Sequence, residues 1–107
     1  MLNLGHYTTR LAIKSKASQE LKDFDKVFKA LAHPTRRNIL TILIAQEKLN
    51  AGDIVKYFDL KWPTITRHLK QLEAAGLIVL TKEGTQHFYT LNTERMRMVL
   101  ANWLKWF

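Results

Sequence analysis

Apolar side chains recur at helical spacing early in the chain, at Leu21, Phe24, Val27, Phe28 and Leu31. This spacing places them on one stripe of a helix, about 120° wide. Ser18 is the predicted N-cap, and Glu20 falls in the first turn, where the helix dipole favours a negative charge. The helix is expected to end at His33, because Pro34 disfavours helical geometry in the residue before it.

A second helix is predicted at about residues 34–45, because proline suits the first position of a helix. Most of its circumference is apolar. The apolar residues are Ile39, Leu40, Ile42, Leu43 and Ile44. A helix with apolar side chains on so many sides is expected to form the buried centre of the domain.

The next segment has the pattern of a helix-turn-helix. Asn50 and Asp53 have the spacing of a capping box and predict a short helix that runs through Phe58. A short turn follows, Pro63 begins another helix, and Gly76 stops it. The inner face of that helix carries Ile65, Leu69 and Leu72. Two helices joined by so short a turn form a helix-turn-helix.

The hydrophobic period then changes. Residues 77–81 form an apolar, β-branched run, and residues 86–91 form a second run with aromatic side chains, so each is predicted to be a strand. The loop Lys82-Glu83-Gly84-Thr85 can close a hairpin between them, because Gly84 tolerates the positive φ that such a loop needs.

A final helix follows, with Asn92 or Thr93 as its N-cap. The predicted order is helix, helix, helix-turn-helix, hairpin, helix. This order predicts a mainly α fold with a β-hairpin wing, the winged helix-turn-helix. Residues 1–17 lack a sustained period and are expected to form an arm, and residues 18–107 are expected to form one domain.

The charge of the chain indicates its partners. Seventeen Lys and Arg stand against nine Asp and Glu, which gives a formal net charge of +8 and a sequence pI near 10.0. Such an excess attracts polyanions. Nucleic acid is the leading candidate, an anionic membrane surface is the second, and a basic surface that only faces solvent is the alternative.

The composition excludes several classes of protein. The apolar share of 47% is that of a folded domain and excludes a disordered chain. Apolar runs such as residues 42–45 are far shorter than the ~18 residues of a membrane helix. The opening MLNLGHYTTR has no continuous apolar core, so no secretory signal is expected and a cytoplasmic location is predicted. The lack of cysteine excludes disulfides, thiol catalysis and thiolate metal sites.

Four segments carry a resemblance to a known family: FKALAHPTRRNIL (28–40), AGDIVKYF (51–58), PTITRHLKQLEAAGLI (63–78) and KEGTQHFYTLN (82–92). In this order they resemble the ArsR/SmtB winged-helix repressors, over about residues 24–107. AGDI and the LNT stretch before the last helix are most similar to the metal-independent, SdpR-like autorepressor branch. The resemblance implies a homodimer held by the helices at the two chain ends. It also implies an operator near the chain's own promoter.

The chain departs from the family pattern at two places expected to face DNA. Family members commonly carry Ser-Gln just before the recognition helix, where this chain has Lys61-Trp62. The wing often has an arginine after its glycine, where this chain has Thr85. These differences keep open a second function, a winged-helix module that binds an acidic partner protein.

No metal, cofactor or catalytic activity is predicted. The thiolate metal motif of the family is missing, and residues 93–107 contain no His or Asp for its other zinc site. The four histidines are far apart in the sequence, and no two of them have the i, i+4 spacing of a metal-binding pair. They are His6, His33, His68 and His87. The chain also lacks a glycine-rich phosphate loop, a nucleophile elbow and an acid–base pair, so it is not expected to be an enzyme.

The helix that begins at Pro63 is the predicted recognition helix, because a helix fits the major groove of DNA. Its outward positions include Thr64, Thr66, Arg67, His68, Lys70 and Gln71. Arg67 is the leading candidate for reading a base, because its planar guanidinium can donate two hydrogen bonds to guanine. Thr64 and Thr66 suit phosphate oxygens or thymine methyls. His68 either contacts DNA or orients its neighbours.

Trp62 has two open interpretations. It either contacts a sugar or a thymine methyl, or folds back onto Leu60 as a hydrophobic staple. Phosphate contacts, which position a protein without reading sequence, are expected from Lys61, Lys82 and His87. Thr85 on the wing completes the predicted DNA-binding set.

The final helix is expected to pair two copies of the chain. Its apolar residues spread over about 160° of the circumference. They are Met96, Val99, Leu100, Trp103, Leu104, Trp106 and Phe107. The first helix adds Leu21, Phe24, Phe28 and Leu31. Exposed apolar patches of this size usually mark an interface, and a two-fold dimer is the commonest solution. The alternative is that the N-terminal arm covers this stripe within one chain.

Together these observations predict a homodimeric transcriptional repressor that binds an imperfect palindrome in double-stranded DNA. The motif order, the charge and the resemblance all favour it. The module for an acidic protein is the alternative. Attachment to an anionic membrane through the arm is less favoured, because residues 1–17 lack a clear amphipathic period.

Overall fold

The computed structural model describes residues 16–107, with side chains from residue 22 onward. Nearly all of the predicted arm at residues 1–17 therefore lies outside the described residues. The elements are α1 (Lys16–Leu31), α2 (Pro34–Gln46), β1 (Lys48–Leu49), α3 (Ala51–Val55), α4 (Trp62–Ala74), β2 (Ile78–Glu83), β3 (Gln86–Leu91) and α5 (Thr93–Leu104). The winged helix-turn-helix is confirmed, with α3 and α4 as the helix pair and β2–β3 as the wing.

Side chains of the sequence cap three of these helices. His33, Asn50 and Asn92 each accept a hydrogen bond from a backbone N–H in the first turn of α2, α3 and α5. The predicted cap at Ser18 is wrong, because α1 already includes Lys16 and Ser18 lies inside the helix. Lysine and alanine before the serine favour helical backbone, so the helix continues past it.

The core lies where one face of each helix meets the sheet. Its buried apolar residues include Val27, Ile39, Leu43, Ile54, Ile65, Leu69, Leu72, Leu77, Ile78 and Val99. The prediction that α2 forms the buried centre of the domain is correct for Ile39, Leu40 and Leu43 but wrong for Ile44, which is 69% exposed. The contacts of α2 with α1, α4 and the sheet leave the side that carries Ile44 open to solvent.

The sheet has one more strand than the sequence predicts. Its order is β1-β3-β2, all antiparallel, with Leu49 of β1 opposite Tyr89 of β3. The first wing strand runs over Ile78–Glu83 rather than 77–81, and the pairing of Glu83 with Gln86 leaves a two-residue loop. Gly84 has a φ of 63° in that loop, as the hairpin requires.

The helix-turn-helix differs from its prediction mainly at the end of α3. This helix ends at Val55 rather than Phe58, because the next amides bond three residues back: Tyr57 N to Ile54 O and Phe58 N to Val55 O. Residues 59–61 connect these tighter turns to α4. Gly76 follows the C-cap of α4 and has a φ of 77°, which stops the helix.

The described residues contain no membrane-crossing element. No helix within residues 16–107 combines the length and the apolar character that a span across a bilayer requires.

Candidate nucleic-acid interface

Three buried side chains fix the orientation of α4. Ile65, Leu69 and Leu72 are each 0% exposed and lie on one side of the helix. At 100° per residue the opposite side carries Pro63, Arg67, Lys70 and Ala74, and all four are exposed. We call this row the outward face of α4. The buried row therefore orients the cationic side chains of Arg67 and Lys70 towards solvent, about one helical turn apart.

The cations of the outward face are available for a ligand. Among the described residues, neither Arg67 nor Lys70 has a side-chain hydrogen bond or an ion pair within the chain. Both are exposed, so an incoming anion or base edge replaces only water. A free guanidinium can donate two parallel hydrogen bonds to the O6 and N7 atoms of guanine.

Trp62 begins α4 beside the outward face and packs against α3. Its side chain remains 53% exposed, and the outer edge of the indole lies over Gly52. A Cβ atom on Gly52 would lie 3.2 Å from the Cη2 atom of the ring, so the approach depends on glycine. The sequence left open packing onto Leu60 or contact with DNA; the structure places the ring against Gly52, with half of its surface open to solvent. In the sequence, the glycine inside the predicted helix was the feature that could have indicated the close approach of a side chain to the backbone.

The two threonines of α4 are half-buried at its flanks. Thr66 donates its hydroxyl to the carbonyl of Trp62 at 3.0 Å, which leaves its oxygen lone pairs and its methyl group for other contacts. Thr64 lies on the flank away from Trp62. Lys61 is exposed at the N-cap position, where its side chain makes no capping hydrogen bond.

Arg36, near the start of α2, joins α1 to the middle of α4. Its Nε donates to the carbonyl of Ala30 at 2.8 Å and its Nη2 to the carbonyl of Lys29 at 2.9 Å. Its Nη1 lies 3.3 Å from the Nδ1 of His68 and also donates to the side-chain carbonyl of Gln71. Carbonyls at a helix C-terminus have no partner further along the helix, and Arg36 donates to two of them. The carbonyl of Lys29 also accepts from the backbone N–H of Ala32 at 3.3 Å.

The predicted site residues His68 and Gln71 are therefore engaged with the protein. His68 also packs against His33, with ring centroids 4.5 Å apart. Burial and, after it, the charges of His33, Arg36 and Arg67 lower the pKa of His68. This arrangement supports the interpretation that His68 orients its neighbours. Arg36 was not among the predicted site residues, although an arginine soon after a helix break is placed to reach the carbonyls at the end of the preceding helix.

The wing presents a second basic position. Lys82 is exposed on β2 opposite His87 of β3, and Thr85 is exposed in the loop. Glu83 is neutralised at 2.7 Å by Lys48 of β1, whose ammonium also lies 4.8 Å from the Phe88 ring centroid. Because the wing's carboxylate is paired, the tip retains the positive character of Lys82.

The two terminal helices pack together and leave apolar surface. Trp103 of α5 meets Phe28 of α1 and Phe107, each with ring centroids 5.0 Å apart and edge-to-face. Trp103, Leu104 and Phe107 remain 40%, 58% and 87% exposed. These residues and Phe28 are called the terminal-helix face below.

Among the described side chains, the other residues predicted for the dimer are more buried. Val99 is 3% exposed in the core of its own chain, because α5 turns it towards α1, so it offers almost no surface to a partner. Phe24 and Met96 are partly buried against that core, and Leu100 and Trp106 are half-buried. The side chain of Leu21 lies outside the described residues. Within the described part of the chain, no group of three His, Asp or Glu side chains could hold a metal ion.

Comparison with known proteins gives one consistent result. A sequence model of the bacterial regulatory proteins of the arsR family matches residues 33–79. The transcriptional repressor SdpR of Bacillus subtilis (strain 168) is 38% identical over 80 residues, which cover 75% of this chain and 87% of that protein. The arsenical resistance operon repressor of Staphylococcus xylosus is 33% identical, over 76% of this chain and 77% of its own length.

The solved structures agree with the sequence relatives. A homodimeric winged helix-turn-helix DNA-binding domain of a possible ArsR-family regulator from Mycobacterium bovis has a TM-score of 0.70 and 25% identity. The match covers 84% of this chain and 83% of that one. These proteins are described as regulators rather than enzymes, and none of the findings favours a module for an acidic protein.

Proposed function

Because the chain belongs to the ArsR family of bacterial regulatory proteins, we propose that this DNA-binding transcriptional regulator is a homodimeric repressor that binds an imperfect palindrome in DNA. Its mode of action is occupancy: a dimer on the promoter excludes the polymerase. The observation that carries the proposal is the outward face of α4, where a fully buried row holds Arg67 and Lys70 towards solvent without partners among the described residues.

The residues of the interface have different roles in this proposal. Arg67 reads a base edge from the major groove. Lys70, Lys61 and Lys82 contact phosphates, and they set the position of the protein without reading sequence. The exposed half of Trp62 offers an apolar surface for a thymine methyl or a sugar at the start of α4.

Dimerisation through the terminal-helix face completes the site. The support is the exposure of Trp103, Leu104 and Phe107. Together they form an apolar surface too large to stay in water. A two-fold dimer presents two copies of α4, and a palindrome of two half-sites matches that symmetry. The recognition helices then enter successive major grooves about 34–36 Å apart.

The proposed target includes the chain's own promoter, by analogy with the autorepressor branch that its sequence resembles. The site of action is then the cytoplasm, where a bacterial promoter lies. No metal or other cofactor is invoked. The proposed domain division is an arm at residues 1–17 and a DNA-binding and dimerisation domain at 18–107.

Selection of bound sequences from a random pool of duplexes tests the proposal. We expect enrichment of an inverted repeat whose half-site centres lie about 10 base pairs, or one helical turn, apart. The chain's own upstream region should compete with the selected duplex in a gel shift. No enrichment after repeated rounds contradicts the proposal, and a single unrepeated half-site contradicts the dimer.

A further inference from the structure

A groove lies beside α4, on the side away from Trp62. It has a volume of about 380 Å³ and is bounded by α1, the start of α2 and the last turns of α4. Lys26, Lys29 and Arg36 supply its charge, and Gln71, Ala74 and Ala75 form its wall on α4. We call it the basic groove. Small side chains on the α4 wall keep it open.

The groove carries unbalanced positive charge. Among residues 22–107 no acidic side chain lines it, and both lysines are exposed. Within residues 22–107 the three ion pairs are Lys48–Glu83, Lys56–Asp53 and Arg95–Asp23, so neither groove lysine has a carboxylate partner there.

Arg36 adds one more donor. A guanidinium has five N–H groups, and the bonds to Lys29, Ala30, His68 and Gln71 use four of them. The remaining N–H belongs to Nη2 and has no partner among the described residues. Because the other four bonds hold the guanidinium in place, that donor is fixed before any ligand arrives.

The groove continues the outward face of α4. Gln71 and Ala74 follow Arg67 by four and seven residues, so the three positions form one row along the helix. A helix with its side chains is about 10–12 Å across and the major groove about 12 Å wide, so the sugar–phosphate backbones lie close along both flanks of an inserted helix. Cations at the flank of α4 are therefore placed for a backbone phosphate.

We propose that Lys26 and Lys29 of α1 each bind a backbone phosphate of the operator beside the C-terminal half of α4, and that the remaining N–H of Arg36 donates to one of these phosphates. This inference rests on the proposed function, and it extends the DNA interface beyond the helix-turn-helix and the wing. The lysines lie about 150° around α1 from Phe24 and Phe28. One helix would thus join the dimer on one side and touch DNA on the other.

The salt dependence of binding tests this site. Binding of the full chain to a selected 40-base-pair duplex is measured between 0.1 and 0.4 M potassium chloride, for wild type and for Lys26→Gln/Lys29→Gln. Two lysines in each of two protomers give four phosphate contacts, each worth about 0.9 in the slope of log affinity against log salt. The slope of the variant should be shallower by about 3–4. Doubling the salt then weakens wild-type binding about 12-fold more than it weakens the variant.

Two controls separate this effect from loss of charge or of fold. Lys26→Arg/Lys29→Arg keeps the charges and should restore the wild-type slope. Arg97→Gln/Lys105→Gln removes the same number of charges from α5 and its C-cap, outside the groove, and should leave the slope within about one of wild type. The preferred sequence should be unchanged in every variant, because phosphate contacts do not read bases.

The failures are distinguishable. If wild type binds the duplex and Lys26→Gln/Lys29→Gln keeps the full salt slope, only the phosphate site is overturned. An equal loss of slope in the α5 control also overturns it. Wild type that binds no duplex overturns the proposed function as well.

Discussion

The Nη1 atom of Arg36 and the Nδ1 atom of His68 lie 3.3 Å apart, and they connect α2 to the centre of the recognition helix. An arginine only donates hydrogen bonds, so the histidine nitrogen must accept. Neutral His68 therefore carries its proton on Nε2. Protonation of Nδ1 would remove the acceptor and place a second cation beside the guanidinium.

The stability of the protein should fall as the pH drops below about 6.5. The pKa of His68 is lowered in the folded protein, first by burial and then by His33, Arg36 and Arg67. The unfolded chain binds this proton at a higher pH than the folded protein does. The contribution of His68 is therefore complete above the unfolded pKa and is lost as the pH falls towards the folded one.

Thermal unfolding at several pH values between 7.5 and 5 checks this prediction. His68→Asn keeps an acceptor near the position of Nδ1 but does not titrate, so its melting temperature should decline less over the same range. A decline as steep in the variant as in wild type would assign the effect to other groups.

Arg36 should contribute more to stability than its neighbour Arg37. Arg36→Met removes four hydrogen bonds and leaves the carbonyl of Ala30 without its side-chain partner, while the carbonyl of Lys29 keeps only the backbone N–H of Ala32 at 3.3 Å. We expect a loss of about 2–4 kcal/mol in the free energy of unfolding. Arg37 makes one side-chain bond, to the carbonyl of Leu31 at 2.8 Å, so Arg37→Met should cost about 0.5–1.5 kcal/mol. Urea denaturation measures both, and equal losses would contradict the role given to Arg36.

Gly52→Ala should disturb Trp62 more than it disturbs the fold. The new methyl group would lie 3.2 Å from the ring, which must shift by a few tenths of an ångström. Alanine is about 1 kcal/mol better than glycine inside a helix, and this gain offsets the crowding, so the unfolding free energy should stay within about 1 kcal/mol of wild type. The indole N–H resonance of Trp62 should move, while those of Trp103 and Trp106 act as internal references. Three unchanged indole resonances would show that the ring does not rest on Gly52.

Arg67 and Lys82 should differ in what they contribute to DNA binding. Arg67→Ala should cost about 1–3 kcal/mol per half-site on the selected duplex and little on a scrambled one, so the sequence preference relaxes. Lys82→Ala should weaken both duplexes by the same factor. Titrations of both variants on both duplexes provide the comparison. The division of roles fails if each variant loses equally on the two duplexes.

The sequence was sufficient for features that local chemistry determines. The inner row of α4, at Ile65, Leu69 and Leu72, follows from helical spacing alone, and all three are fully buried. Gly84 marks the hairpin loop because few other residues adopt its φ of 63°. Such features depend on residues close together in the chain, so a pattern in one segment reveals them.

Features that join distant segments could not be predicted in this way. Strand β1 has two residues and exists only because Lys48 and Leu49 pair with β3, some forty residues away. Arg36 and His68 are separated by thirty-two residues. Val99 belongs to an apolar stripe that suits either an interface or a core, and only the packing of α5 on α1 decides between them.

The mass of the complex with DNA tests the central claim most directly. Sedimentation equilibrium of the chain with one selected duplex should give two chains of 12.5 kDa on each duplex across a tenfold range of protein concentration. Two bound chains per inverted repeat is the result expected if the terminal-helix face pairs two recognition helices. A complex with a single chain on the duplex, at every concentration tested, would contradict it.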